Sequence, residues 1–212
     1  MPGKGPQKEG AFPLAVLLGI DGSALGMQVR STRRRRKDGE VLSPLPPVEE
    51  GHFREVKTGV LLLPNERVEV SPGRRSVLRR VLVTCLGDAD QVLEHIWGKL
   101  CDLRWLGPET VVVIVGDGAE WIWNRATLFP KRCEILDFWH AIEKAWEFAR
   151  PRYGEGSSYA TRFTHRIGED LRAGRVGDVI RRLGKVRAPC EHRERLGSLI
   201  KYYTDNASRM RY

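Results

Sequence analysis

Hydrophobic positions along the chain change their period twice. From Ala11 to Ile20 they run nearly unbroken, interrupted by Pro13, and the run closes on Asp21-Gly22. An apolar run bounded by a turn dipeptide predicts a strand covered on both faces, with Asp21 at its carboxyl end. The residues ahead of it, MPGKGPQKEG, are rich in Pro, Gly and Lys, and predict disorder over residues 1–12. Past the strand, positions 30–37 hold six bases and three prolines follow, which predicts a loop. REVKTGVLLL and RRSVLRRVLVTCLG each read as one strand, with PNER and SPGRR as turns. Three strands with no helix between them predict an antiparallel meander.

The period then lengthens. Val92, Leu93, Ile96, Trp97, Leu100 and Leu103 recur at helical spacing from Asp88 to the Gly107-Pro108 stop. TVVVIVGDGAEW follows, a β-branched run leading into Gly116-Asp117-Gly118, and so a central strand with Asp117 just past its end. A short helix over 120–128, a strand KRCEILDF and a helix over 140–150 continue an alternation that predicts parallel pairing. Beyond Pro151 the pattern holds only short, Arg-studded helices separated by glycines. The expected fold is α/β: a mixed sheet of three antiparallel strands and then parallel ones, helices on both faces, and a helical extension. The expected division is 1–12, a core over 13–150, and an extension or insertion over 151–212.

Charge sharpens the division. Residues 1–150 carry 22 bases and 20 acids, whereas residues 151–212 carry 14 and 7, within a formal net charge of +9. An excess of this size attracts phosphate polyanions and favours nucleic acid as partner. Arg outnumbers Lys 27 to 9, which suits phosphate oxygens; a genome rich in G and C gives the same bias. Four cysteines far apart, with no CxxC pair, indicate neither zinc nor a disulfide framework, so a reducing cytoplasm is the expected compartment. No apolar run approaches the roughly 20 residues of a membrane span.

Two aspartates at the ends of strands have a chemical use. Neighbouring strands lie about 4.8 Å apart, so Asp21 and Asp117 can meet if their strands are adjacent. Oxygen ligands suit Mg²⁺ or Mn²⁺, and acids on a basic protein make sense when the substrate brings phosphate to the same place. The plainer reading is that both are turn acids, since Asp-Gly is a common turn dipeptide. Around them, Arg33, Arg34, Arg35 and Arg36 either track a nucleic-acid backbone or form a solvated loop. Trp123, with Trp121, either stacks on bases or packs in the core. His140 is either a base near the site or a histidine bonded to backbone at a helix start. A phosphatase of the haloacid dehalogenase type also has a GDG loop, but Gly19 stands where its nucleophilic aspartate is required.

The series IDGS, REVKTGVLL, GDGAEWIWNRATLFP, ILDFWHAIEKAWEFA and YYTDNASRMRY resembles the DDE transposases of ISKra4-type bacterial insertion sequences, from about Pro13 to Tyr212. The resemblance implies a ribonuclease H-like core, DNA as substrate, Mg²⁺ or Mn²⁺ as cofactor, and metal-dependent strand cleavage and joining. It makes Asp21 the first metal-binding acid and Asp117 the second. The family's third acid is a Glu in a GSGxVES segment that follows the RMRY motif, and its DNA-recognition region precedes the first catalytic strand. This polypeptide alone is therefore expected to bind DNA weakly and to show little transposase activity, with a homodimer or the full-length transposase as a partner. Glu143 and Glu147, on the helix after DFWH, are the in-chain alternatives for the third acid. A second expectation is a nucleic-acid-binding remnant that cannot cut.

Overall fold

The structure, a computed structural model, describes Pro13, residues 15–26 and residues 53–212. The described elements, in chain order, are β1 (Ala15–Gly26), β2 (Phe53–Leu62), β3 (Arg67–Ser71), β4 (Arg74–Val77), β5 (Val81–Cys85), α1 (Ala89–Asp102), β6 (Val111–Gly116), α2 (Glu120–Ala126), β7 (Arg132–Leu136), α3 (Phe138–Tyr153), α4 (Ser158–Arg172), α5 (Val176–Leu183) and α6 (Cys190–Asp205). A short 3₁₀ turn, Ala207–Arg209, follows. The protein is α/β with a mixed sheet.

Five strands form that sheet in the order β5-β2-β1-β6-β7. β1 pairs antiparallel with β2, and β2 antiparallel with β5, so the expected meander is present. β6 and β7 join parallel on the other side of β1. Two details differ from the sequence reading. The stretch read as one strand from Arg74 to Gly87 is two, and Arg67–Ser71, of which only the end residues Arg67 and Ser71 fall in the expected turns, is a strand. β3 and β4 form a separate hairpin around Gly73, whose φ of +74° suits a residue without a Cβ. Similarly, β1 does not end at Asp21; it continues to Gly26 as partner of β2. Asp21 instead marks where β1 parts from β6, whose last paired residue with it is Ile20.

The apolar runs cover the sheet unequally. Val16, Leu18, Ile20, Val112, Ile114 and Leu136 are at most 4 % exposed, while the alternating Leu17, Val113 and Val115 are half-buried. The strands are thus sealed on one face rather than both. α1 seals that face. A capping box starts it: Asp88 accepts from the N–H of Gln91 at 2.9 Å, and Gln91 Oε1 accepts from the N–H of Asp88 at 3.2 Å. Val92, Leu93, Ile96 and Leu100 then form its buried stripe. The approach to β2 is close, because a Cβ on Gly59 would stand 2.6 Å from Ile96 Cδ1.

The basic C-terminal helices belong to the same continuous cluster of buried residues as the sheet. Ala141 and Ala145 of α3 are small enough to let α6 approach, and the buried Tyr203 hydroxyl donates to the Ala141 carbonyl at 2.7 Å. α3 does not stop at Pro151. The ring lies in its last turn, where only one i−4 hydrogen bond is forfeited, and the helix runs on to Tyr153. The 3₁₀ turn docks on β7 through Arg209 Nε, which donates to Glu134 Oε2 at 2.8 Å.

Between α4 and α5 the nearly buried Asp170 holds two arginines. Arg175 Nη2 donates to Oδ1 at 2.6 Å, and Arg182 Nη2 forms an ion pair with Oδ2 at 2.6 Å without hydrogen-bond alignment. The Arg175 hydrogen bond, above all, holds the Asp170 carboxyl below the usual carboxylate range; burial opposes it and Arg182 adds to it. Asp170→Ala should therefore cost about 1–2 kcal/mol at neutral pH, since both arginines retain access to water. A depressed carboxylate pKa contributes stability above the unfolded value and loses it as pH falls toward the folded one. Urea unfolding should show the difference between wild type and Asp170→Ala constant from pH 7 to 5 and shrinking below about pH 4.

Candidate functional site

Three neighbouring strands deliver an aspartate at the same level. In the parallel ladder Leu17 stands opposite Val113, and Val113 opposite Cys133. Continuing both registers to the strand ends places Asp21, Asp117 and Asp137 in one row across β1, β6 and β7. The two-residue alternation carries all three onto the face of Leu17, Val113 and Ile135, opposite the α1 face. The Asp137 N–H donates to the Gly116 carbonyl at 2.7 Å, so the ladder holds to the last position.

Each carboxylate has a local partner. Asp21 is exposed, and its Oδ1 accepts from the Gly22 N–H at 2.8 Å. Asp117 Oδ1 accepts from the Ala119 N–H at 2.8 Å, which turns the chain into α2. Asp137 caps α3: its Oδ1 accepts from the His140 N–H at 3.0 Å and lies 3.3 Å from His140 Nδ1. His140 is therefore at a helix start, bonded to a carboxylate rather than to backbone, with its ring 40 % exposed.

The helical half reaches this row through Tyr202 of α6, whose hydroxyl donates to the Asp117 carbonyl at 2.8 Å. Burial, chiefly, raises the Tyr202 phenol above its ordinary pKa, and the charges of Asp117, Asp137, Glu147 and Glu143 add to the rise. Four carboxylates thus act on one hydroxyl. Glu143 and Glu147, the in-chain alternatives for a third acid, line a groove with Asp137 and His140, although Glu147 is paired with Lys144 at 2.7 Å.

Other expected site residues lie elsewhere. Trp123 is only 8 % exposed, with the Arg209 guanidinium 4.6 Å from its ring centroid, which is a core position rather than a base-stacking one. Trp121 is half-buried, with Lys57 Nζ 5.3 Å from its centroid. Arg33, Arg34, Arg35 and Arg36 lie outside the described residues. The sequence reading missed Asp137 because KRCEILDF was taken as a strand running through it to Phe138. A signal was present: a third strand-like run closing on an acid.

Among the described residues, no group of three or more His, Cys, Asp or Glu side chains is gathered closely enough to hold a metal ion. None of the described helices is long and apolar enough to cross a membrane. Comparison with protein-family models, with curated proteins and with solved structures finds no match to this chain.

Gly118 gives a test of the link between Tyr202 and the acid row. Its φ is +102°, and a Cβ there would lie 3.0 Å from Tyr202 Oη and 3.1 Å from Leu136 Cδ1. Gly118→Ala should cost about 1–2 kcal/mol, from backbone strain and displacement of the phenol, and Tyr202→Phe about 1 kcal/mol. In urea unfolding the double variant should lose less than the sum, because both changes break the same contact.

Proposed function

We propose that the chain carries a ribonuclease H-like core of the ISKra4 transposase type, which binds DNA and Mg²⁺ or Mn²⁺, the ion with which that family cleaves and joins DNA strands, and which alone has little activity. The observation that supports this reading most is the row of Asp21, Asp117 and Asp137, each one residue past the last parallel pairing of three adjacent strands. The sheet, three antiparallel strands joined by two parallel ones, is consistent with it.

The donor set fits a hard divalent cation. It is all oxygen, each carboxylate has a single oxygen engaged by a backbone N–H, and among the described residues no ion pair with a base is formed by Asp21 or Asp117. Asp21 and Asp117 would hold the ion, with Asp137 beside them. Bound there, such an ion activates an attacking water or hydroxyl and stabilises charge on a phosphate. The protein's own groups have separate tasks. Tyr202 fixes the backbone at Asp117, while Asp137 orients His140. With Nδ1 turned to Asp137, His140 keeps Nε2 for a proton at the mouth of the groove.

A second reading, a nucleic-acid-binding protein that does not cut, is favoured by one fact: each carboxylate is already satisfied locally, and no three converge. Mn²⁺ titration by calorimetry, with plasmid nicking as a parallel readout, separates the two. The first reading expects Mn²⁺ binding that weakens about tenfold or more in Asp117→Asn and in Asp21→Asn, on the scale of losing one charged ligand. Absence of binding, or equal binding by Asp117→Asn, would leave the second reading standing.

A further inference from the structure

Beside the acid row, α3 and α4 leave a slot of about 180 Å³ between them. Trp139 and Trp146 wall it with Phe138 and Ile142, while Thr161, Thr164, His165 and Gly168 lie on the α4 side with Arg172. The two tryptophans are seven residues apart on α3, two turns along one face. They also line the groove that holds Asp137 and His140, so the slot and the acid row share a wall.

Three features make this more than a packing defect. Trp139 is 69 % exposed, a large apolar ring left in water two residues from Asp137. Cations surround the rings: the Arg172 guanidinium is 4.4 Å from the Phe138 centroid, and that of Arg150 is 5.3 Å from the Trp146 centroid. No carboxylate lines the slot. Finally, Thr164 is 2 % exposed, yet its buried Oγ1 has no hydrogen-bond partner. An unpaired buried hydroxyl costs free energy unless something polar completes it.

We propose that the slot receives an unpaired base of a single-stranded nucleic acid. The base stacks on Trp139 and Trp146, its polar edge meets Thr164 Oγ1, and Arg150 and Arg172 face the flanking phosphates. Two aromatic rings, an unpaired hydroxyl and two guanidiniums match the apolar faces, polar edge and negative backbone of a nucleotide. A purely apolar peptide segment would leave the hydroxyl and Arg172 unanswered, whereas Arg150, beside the slot, already pairs with Glu155 at 3.4 Å. The inference rests on the proposed function in taking nucleic acid as the partner, but it concerns a site without metal and holds in the presence of a chelator.

The experiment is fluorescence anisotropy of a labelled oligothymidylate, and of a duplex of equal length, with the full chain in EDTA. Wild type should bind the single strand more tightly than the duplex. Trp139→Ala and Trp146→Ala should each weaken single-strand binding about 5- to 100-fold, the range for losing one base stack, and leave duplex binding unchanged. Thr164→Val, which keeps the shape and removes the unpaired hydroxyl, should lower single-strand affinity with equal or higher thermal stability. Equal affinity for the two oligonucleotides, unchanged single-strand binding in both Trp variants, or no binding by wild type would each overturn the proposal. Mn²⁺ titration of Trp139→Ala distinguishes the two failures. Trp-dependent strand binding in a protein that binds no Mn²⁺ sinks only the metal reading, and Mn²⁺ binding with Trp-independent strand binding sinks only the slot.

Discussion

The parallel ladder that holds β6 between β1 and β7 sets the position of everything chemical in the molecule. Its register is fixed by burial, because Val16, Leu18, Ile20, Val112, Ile114 and Leu136 must all lie on the one buried face of the sheet. A slip of one residue in any of the three strands would turn its apolar set to the more open face and its aspartate toward the core. The same hydrophobic effect that seals one side of the sheet therefore sets three aspartates at matching positions along three adjacent strands. Nothing at the acid row itself needs to supply that alignment.

The helical half completes the arrangement. α6 packs on α3 through Tyr203 and Ala141, and its neighbouring Tyr202 reaches the backbone of Asp117. Arg209 binds Glu134 on β7 and covers Trp123 beneath the strand ends. The charge excess of residues 151–212 is consequently carried by helices anchored to the sheet, and part of it is spent internally, as at Asp170.

Much of this organisation could be read from the sequence, because long apolar runs and helical stripes are direct imprints of burial. The antiparallel meander, the helix α1 and the placing of Asp117 after a β-branched run all follow from such patterns. Where the reading failed, the deciding contact was not local. β1 continues past Asp21 because β2 pairs with it there, and the hairpin of β3 and β4 is held by pairing across a turn in residues too polar to look like strands. Pro151 suggested a boundary, yet in a last turn a proline removes little. Asp137 escaped notice because an acid at a strand end and an acid that caps a helix look alike until the neighbouring strands are placed. Trp123 was a candidate for stacking, and only the docking of Arg209, 86 residues further on, shows it to be enclosed.

The hydroxyl of Tyr202 ends on the carbonyl oxygen of Asp117, not on its carboxylate. This leaves the side chain of Asp117 chemically unencumbered by the helices while tying its main chain to them. A small roll of α6 would thus shift the seat of the carboxylate without changing its charge or its local hydrogen bond. The helical half is tied to the acid row through main chain alone, so the seat of Asp117 and the packing of α6 are one structural unit.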